Sequence, residues 1–260
     1  MKKLQEELER LLYHLEGKEH ILKTMEEEPS IFPFSRESRI MAYLLSIHAI
    51  TYEKYLQLFY DYTKRNQFLP LFDMSPRSFG ETWGEKHVLA LFPQVQKATK
   101  ENVSSFYPNF DGEFDLWWNG LRIEVKACRA NRPSTKNNQS LISRAYLHHE
   151  ALEAGFKYHF QQLKPSCCDI FLWIGVCRDE LLYWVLTSTE LEHTGKMGSQ
   201  HRTEHTGVEN SIVFEGQVFM TEEELTPFLV KEQEILQVIQ SKRNVSLENI
   251  KTNSPLPSKP

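Results

Sequence analysis

The stretch "FDLWWNGLRIEVKAC", residues 114–128, holds two strand-like runs on either side of Asn119-Gly120. Asn-Gly between apolar runs signals a two-residue type I′ hairpin turn. That turn sets the register: Trp118 faces Leu121, Trp117 faces Arg122, Leu116 faces Ile123, and Asp115 faces Glu124. Side chains alternate across a strand, so Leu116, Trp118, Leu121, Ile123 and Val125 form one apolar face, which must be core. The other face brings Asp115 beside Glu124, with Lys126 two residues further along. Two opposed carboxylates repel, and a simple salt bridge would need only one acid and one base. The pair therefore asks for a cation. A few hard oxygen ligands suit Mg²⁺, which keeps several waters and leans on substrate phosphates.

Around this hairpin the chain alternates helical and strand-like segments. Residues 2–25 read as a helix with Leu4, Leu8, Leu11, Leu12 and Leu15 on one face, a stripe that is either core or a dimer contact. A second long helical pattern follows Ser35 as far as Arg65. A Pro-containing connector at 66–76 places a soft boundary, giving an N-terminal helical region, residues 1–75, that contacts DNA or dimerises. Ser78 with Glu81 reads as a capping box for a helix over 79–92. Residues 129–143 are polar, basic and without periodicity. Residues 144–164 look helical. "CDIFLWIGVC" and "LLYWVLTST" have the length and composition of strands. Residues 193–217 read as a polar loop, 221–240 as a capped helix, and 246–260 as a flexible tail. The order of elements predicts an α/β fold, a central mixed β-sheet flanked by helices, over residues 76–245.

Composition supports a folded chain with a real core: 40% of the 260 residues are hydrophobic, and there are 5 Trp, 10 Tyr and 16 Phe. No apolar run approaches the roughly 20 residues that span a bilayer, and the acidic start lacks a signal-peptide block, so a soluble cytoplasmic protein without membrane contact is expected. The four cysteines, Cys128, Cys167, Cys168 and Cys177, lack zinc or disulfide spacing and read as reduced thiols. The net charge of −5 argues against a general polyanion binder. Charge is nonetheless segregated: between Arg122 and Lys164 lie Arg122, Lys126, Arg129, Arg132, Lys136, Arg144, Lys157 and Lys164 against only Glu124, Glu150 and Glu153.

Asp115, followed after eight residues by Glu124-Val125-Lys126, resembles the PD-(D/E)xK nuclease signature, with Phe114 where that signature weakly prefers Pro. The upstream helix carries Glu81 and Glu85, and such nucleases often draw an extra acid from there. Glu85 precedes "HVLALF" in the usual placement. "FQQLKPSCCDIFLWIGV" is similar to the helix glutamine and core strand of type II restriction endonucleases, and "GSQHR" is similar to segments that follow their core strands. The resemblance covers residues 78–190 and implies a restriction-endonuclease-like core. It implies Mg²⁺-dependent, sequence-specific hydrolysis of double-stranded DNA to 5′-phosphate ends. Asp115, Glu124 and the Val125 carbonyl would hold the metal and Lys126 would orient water. Glu85 would add a second metal or an outer-shell water, and Gln162 or Gln161 would brace the site. It also implies a homodimer and a cognate DNA methyltransferase. Two alternatives stand beside it: a repair or junction nuclease of the same chemistry, and a catalytically silent DNA-binding protein.

Arg pairs with guanine and Asn or Gln with adenine, so base contacts are sought in two polar segments. One holds Arg129, Asn131, Arg132, Asn137, Asn138 and Gln139, the other Gln200, His201 and Arg202. Lys136, Arg144 and Lys164 are candidates for phosphate. His193, His201 and His205 lack the Cys or rigid helix of a metal site and read as solvated. Trp117 either stacks a base or is covered by a helix.

Overall fold

A computed structural model describes residues 2–13, 15–17, 19, 20, 23, 35–135, 140–204 and 212–252. The chain divides into two compact units. One comprises residues 1–73, 132–148 and 177–180, the other 74–131, 149–176 and 181–260.

The first unit is built on three helices, α1 (Lys2–Tyr13), α2 (Arg36–Ser46) and α3 (Tyr52–Arg65). The leucine stripe is core here: Leu4, Leu8 and Leu12 are buried with Ile40, Met41, Leu44, Ile50, Leu58 and Tyr62. The single long helix expected after Ser35 is instead two. His48 takes a left-handed φ of 56°, which no helix continues, and the Thr51 side chain then caps α3 by accepting from the Lys54 N–H. At the far end of α3, Asn66 is fully buried. Its amide donates to the Tyr62 carbonyl at 2.6 Å and its oxygen accepts from the Arg178 guanidinium. Arg178 also accepts from the Phe68 N–H at 3.1 Å and donates its own N–H to Tyr146 at 2.7 Å, so one residue ties three distant stretches together.

The second unit holds a six-stranded mixed sheet and a three-stranded sheet. The strands of the first are β1 (Gln96–Lys97), β2 (Leu116–Trp118), β3 (Leu121–Arg129), β5 (Ile170–Val176), β6 (Leu181–Thr187) and β9 (Leu229–Val230), paired in that order. The other sheet pairs β4 (Lys157–Leu163), β8 (Ile212–Thr221) and β7 (Gly198–Glu204) in the order β4-β8-β7. β3 and β5 run parallel and the remaining pairs are antiparallel. The mixed α/β class follows the sequence expectation.

The Asn119-Gly120 turn has φ of 50° and 82°, both left-handed as a type I′ turn demands, and the pairs Leu116–Ile123, Trp117–Arg122 and Trp118–Leu121 form as expected. β5 is buried along its whole length, as befits a strand covered on both faces. Tyr158 of β4 packs on Trp184 of β6, with ring centroids 4.9 Å apart, and Phe160 stacks on Trp173 of β5 at 4.3 Å. The three-stranded sheet thus covers one face of the larger sheet and leaves its own outer face open. Gly175 sits beneath this contact. A Cβ there would lie 2.6 Å from Trp184 and 2.8 Å from Tyr158. Gly175→Ala is expected to destabilise the protein by roughly 1–3 kcal/mol through overpacking, measured by denaturant unfolding; an unchanged midpoint would refute the contact.

Several expectations about local structure are corrected, among them the single helix over 221–240, which is interrupted by β9. Residues 144–164 are not one helix: a short helix, His148–Glu153, ends at Gly155, whose φ is 58°, and Lys157–Leu163 is β4. Tyr158 and Phe160 are buried while Lys157 and Gln161 are exposed, the two-residue alternation of a strand. The polar loop over 193–217 is largely β7 and β8, because a sheet with an open face accepts polar strand residues. Finally, Ser78 is not the helix cap. Ser75 accepts the Ser78 N–H at 3.1 Å and Pro76 opens the helix, which passes through a π-helical turn, Ser78–Gly84, into α4 (Glu85–Leu91). The C-terminal helix, Ile235–Thr252, continues into the stretch read as tail. No helix among the described residues is long and apolar enough to cross a membrane.

Candidate active site

β2 begins at Leu116, one residue after Asp115. The backbone ladder does not continue to Glu124: the Asp115 N–H donates to the Ile123 carbonyl at 3.1 Å, and the Asp115 carbonyl accepts from Ala98 at 2.9 Å. The side chain takes over where the ladder stops. Asp115 Oδ2 accepts the Val125 N–H at 2.8 Å. This fixes the carboxylate against the edge of β3.

Glu124 is 7% exposed although it carries a charge, and Lys126 Nζ lies 2.5 Å from Glu124 Oε1. Burial pushes the Glu124 carboxyl up to about 7. The Lys126 ammonium opposes that rise and the Asp115 carboxylate adds to it. Asp115 is also raised, first by burial and then by Glu85, against the pull of Lys126 and the Val125 N–H. Burial works against the Lys126 charge, but the Glu124 and Asp115 carboxylates outweigh it and hold its pKa above the ordinary lysine value. The three side chains form one coupled cluster.

α4 contributes a fourth member. Gly84 packs over β3, where a Cβ would meet Val125 at 3.5 Å and Ala127 at 3.7 Å. Glu85 follows it, buried, with Lys97 Nζ at 2.7 Å from its Oε2. Asp115 feels both Glu85 and Lys97. Lys97 went unrecognised in the sequence, because a two-residue strand in "PQVQKATK" leaves no periodic signal. Lys164, paired with Glu215 at 3.3 Å, lends Glu124 a weaker pull downward.

Asp115, Glu124 and Glu85 thus set three carboxylates against the Lys126 and Lys97 ammonium groups, and both central carboxyls remain raised. A hard divalent cation fits that deficit of positive charge. Among the described residues no three His, Cys, Asp or Glu side chains are grouped as a ready ligand set.

The remaining predicted residues lie elsewhere. Gln162 is on β4 rather than a helix, exposed, at a bulge where its φ is 55°; Gln161 is exposed beside His159. Arg129 lies over the Phe79 ring at 4.4 Å and donates to the Met74 carbonyl at 2.7 Å. Arg132 lies over Tyr146 at 4.5 Å and donates to the Ala145 carbonyl, while Arg144 donates to the Arg132 carbonyl at 2.7 Å. These three guanidinium groups hold backbone and rings of their own chain. Asn131 is half-buried two residues beyond β3. Gln200, His201 and Arg202 belong to β7, where His201 pairs with Glu215 and Arg202 with Phe214. Lys136, Asn137, Asn138 and Gln139 lie outside the described residues, as do His205 and the side chain of Glu81. Trp117 is covered by Phe106, whose ring stacks on it at 4.1 Å. All four cysteines are free thiols.

No protein-family model matches this chain, no curated protein resembles it, and no solved structure matches it.

Proposed function

We propose that the protein is a Mg²⁺-dependent endodeoxyribonuclease of the type II restriction kind, cutting double-stranded DNA at specific sites. The carrying observation is the interacting set of a buried Glu124 with half-buried Asp115 and Lys126 at the open end of the β2–β3 hairpin. Carboxylates are costly to bury, and a core hairpin has no structural need for two of them within electrostatic reach of each other. The mixed sheet, with β3 parallel to β5, is compatible with a restriction-endonuclease-like core.

Asp115 and Glu124 would hold the metal together with the Val125 carbonyl, which leaves β3 on the same edge as the N–H that Asp115 accepts. When bound, Mg²⁺ would polarise the phosphoryl oxygens and lower the pKa of a water. Lys126 Nζ, held by Glu124, donates a hydrogen bond to the attacking water or to a phosphate oxygen and offsets charge that develops there. Glu85, steadied by Lys97, supplies the outer carboxylate. Phosphorus–oxygen cleavage on the 3′ side leaves a 3′-hydroxyl and a 5′-phosphate. A homodimer would match a palindromic site, and a partner methyltransferase would protect the host sequence.

Incubation of a long unmethylated duplex with Mg²⁺ tests this. Discrete fragments from the wild type, and none from Asp115→Ala, are expected. A smear would indicate a nuclease without sequence choice, and intact DNA would overturn the proposal.

A further inference from the structure

Arg65 closes α3 and is only 8% exposed. Its Nε and Nη1 are sealed from solvent, and among the described residues neither has a hydrogen-bond partner. A guanidinium keeps its charge in proteins and can only donate. Burying one without an acceptor is costly, and the end of a core helix has no structural need of it.

The neighbouring acceptors are committed elsewhere. Asn66 is fully buried, but its oxygen accepts from Arg178 and its amide donates to the Tyr62 carbonyl. The Thr63 carbonyl accepts the Asn66 N–H at 3.0 Å, so the helix end lends Arg65 only partial negative charge. Glu37 is the carboxylate within the field of Arg65. Its Oε2 accepts from the Ser35 hydroxyl at 2.7 Å, and Ser35 accepts in turn from the Tyr62 hydroxyl at 2.8 Å. Burial would raise Glu37, yet Ser35, its own N–H, Arg178 and Arg65 together hold it below the ordinary carboxylate range. Arg65 thus acts on Glu37 through space. Asp179 accepts the His148 N–H at 2.8 Å, and Glu180 meets the His148 ring at 2.9 Å. All of these groups belong to the first unit. Two guanidinium groups therefore bear on one carboxylate, and positive charge is left over.

We propose that this end of α3 is a binding site for a small oxyanion of the phosphate class, with Arg65 as its principal ligand and Arg178 adding charge. A guanidinium matches phosphate oxygens in geometry, and its hydrogen bonds to them are charge-assisted. Arg178 also holds Phe68 and Tyr146 through its backbone, so an anion here would brace the stretches that close this unit. The site stands without the nuclease reading.

The test uses the full chain with EDTA, in inorganic phosphate or in chloride at equal pH and ionic strength. Calorimetric titration of the wild type with phosphate is expected to show binding. Its Tm is expected to rise by about 3–6 °C once phosphate stands tenfold above its dissociation constant. Arg65→Met should lose that response and, in chloride, be no less stable than the wild type, because it removes an unpaired buried charge. Arg65→Lys keeps the charge without the planar fork and should bind phosphate about tenfold more weakly, a comparison that holds even where the methionine variant fails to fold. A phosphate response that survives intact in Arg65→Met or Arg65→Lys would overturn the proposal by placing the ion elsewhere. A wild type indifferent to phosphate would also overturn it, and loss of stability in Arg65→Met would then assign the guanidinium to a carboxylate of the chain itself.

Discussion

Lys126→Met should lower the single-turnover rate of duplex cleavage by roughly a hundredfold to a thousandfold, the usual loss when one preorganised donor to a developing charge is removed. Asp115→Asn should fall at least as far, because it removes a carboxylate proposed to hold the metal and leaves an amide facing the Val125 N–H. The two variants separate by pH. Lys126 is what holds the Glu124 carboxyl down, against burial and Asp115. Without it Glu124 rises further, so the residual activity of Lys126→Met shifts to higher pH. Lys126→Arg keeps a charge near Glu124 and should retain more of the wild-type profile than methionine does. Rates measured across pH, with circular dichroism to confirm folding, decide the matter. A wild-type rate in Lys126→Met would end the assignment of Lys126 to the chemistry.

Stability carries a second, independent signature. The Glu124 carboxyl stands at about 7 in the folded protein against an ordinary value of 4.5. A raised carboxyl favours the protonated form on folding. Its contribution is complete below pH 4.5 and is lost as pH rises through 7. The loss amounts to roughly 3 kcal/mol at most, or several degrees in Tm for a chain of this size. Asp115, raised by burial and Glu85, acts in the same direction. Carboxyls such as Glu37 and Glu190 are lowered despite their burial, by Ser35 and by Lys242 respectively, and lose their contribution as pH falls, so they oppose the trend on the acid side. The informative quantity is therefore wild type minus Glu124→Gln. That difference should shrink or reverse between pH 5.5 and pH 8 in metal-free protein. Mg²⁺ binds ionised carboxylates, so adding it should raise Tm more at pH 8 than at pH 5.5. No metal-dependent shift at pH 8 would rule out the site as a metal centre.

Much of this site was legible in fifteen residues. Asn119-Gly120 dictated the turn, the turn dictated the register, and the register placed Glu124 and Lys126 on one face. The reading went too far by one step. It carried the ladder to Asp115, whereas the strand begins at Leu116 and the side chain of Asp115 replaces the backbone bond. Glu85 was found by its position before an apolar helix, yet the cap that opens that helix is Ser75, because Pro76 behind it is already shaped for the first turn. Lys97 was invisible, since its role depends on a short strand laid against β2 by tertiary contact. β4 and β7 were also misread. The exposed residues of β4 alternate with buried ones, which is easily taken for a helix surface, and the polar sequence of β7 is easily taken for a loop.

The unit holding α1, α2 and α3 is closed by residues 132–148 and 177–180. Asn66 and Arg178, which bond to each other there, are 112 residues apart in the chain. At a ribosomal pace of about 5–20 residues per second, Asn66 emerges roughly 6–20 seconds before its partner. The first segment to be made is thus not finished until more than a hundred further residues have followed it, and its leucine-rich helices spend that interval without their closing residues. Separating the halves at residue 73 would make the wait permanent and leave the buried Asn66 without the Arg178 guanidinium that it bonds.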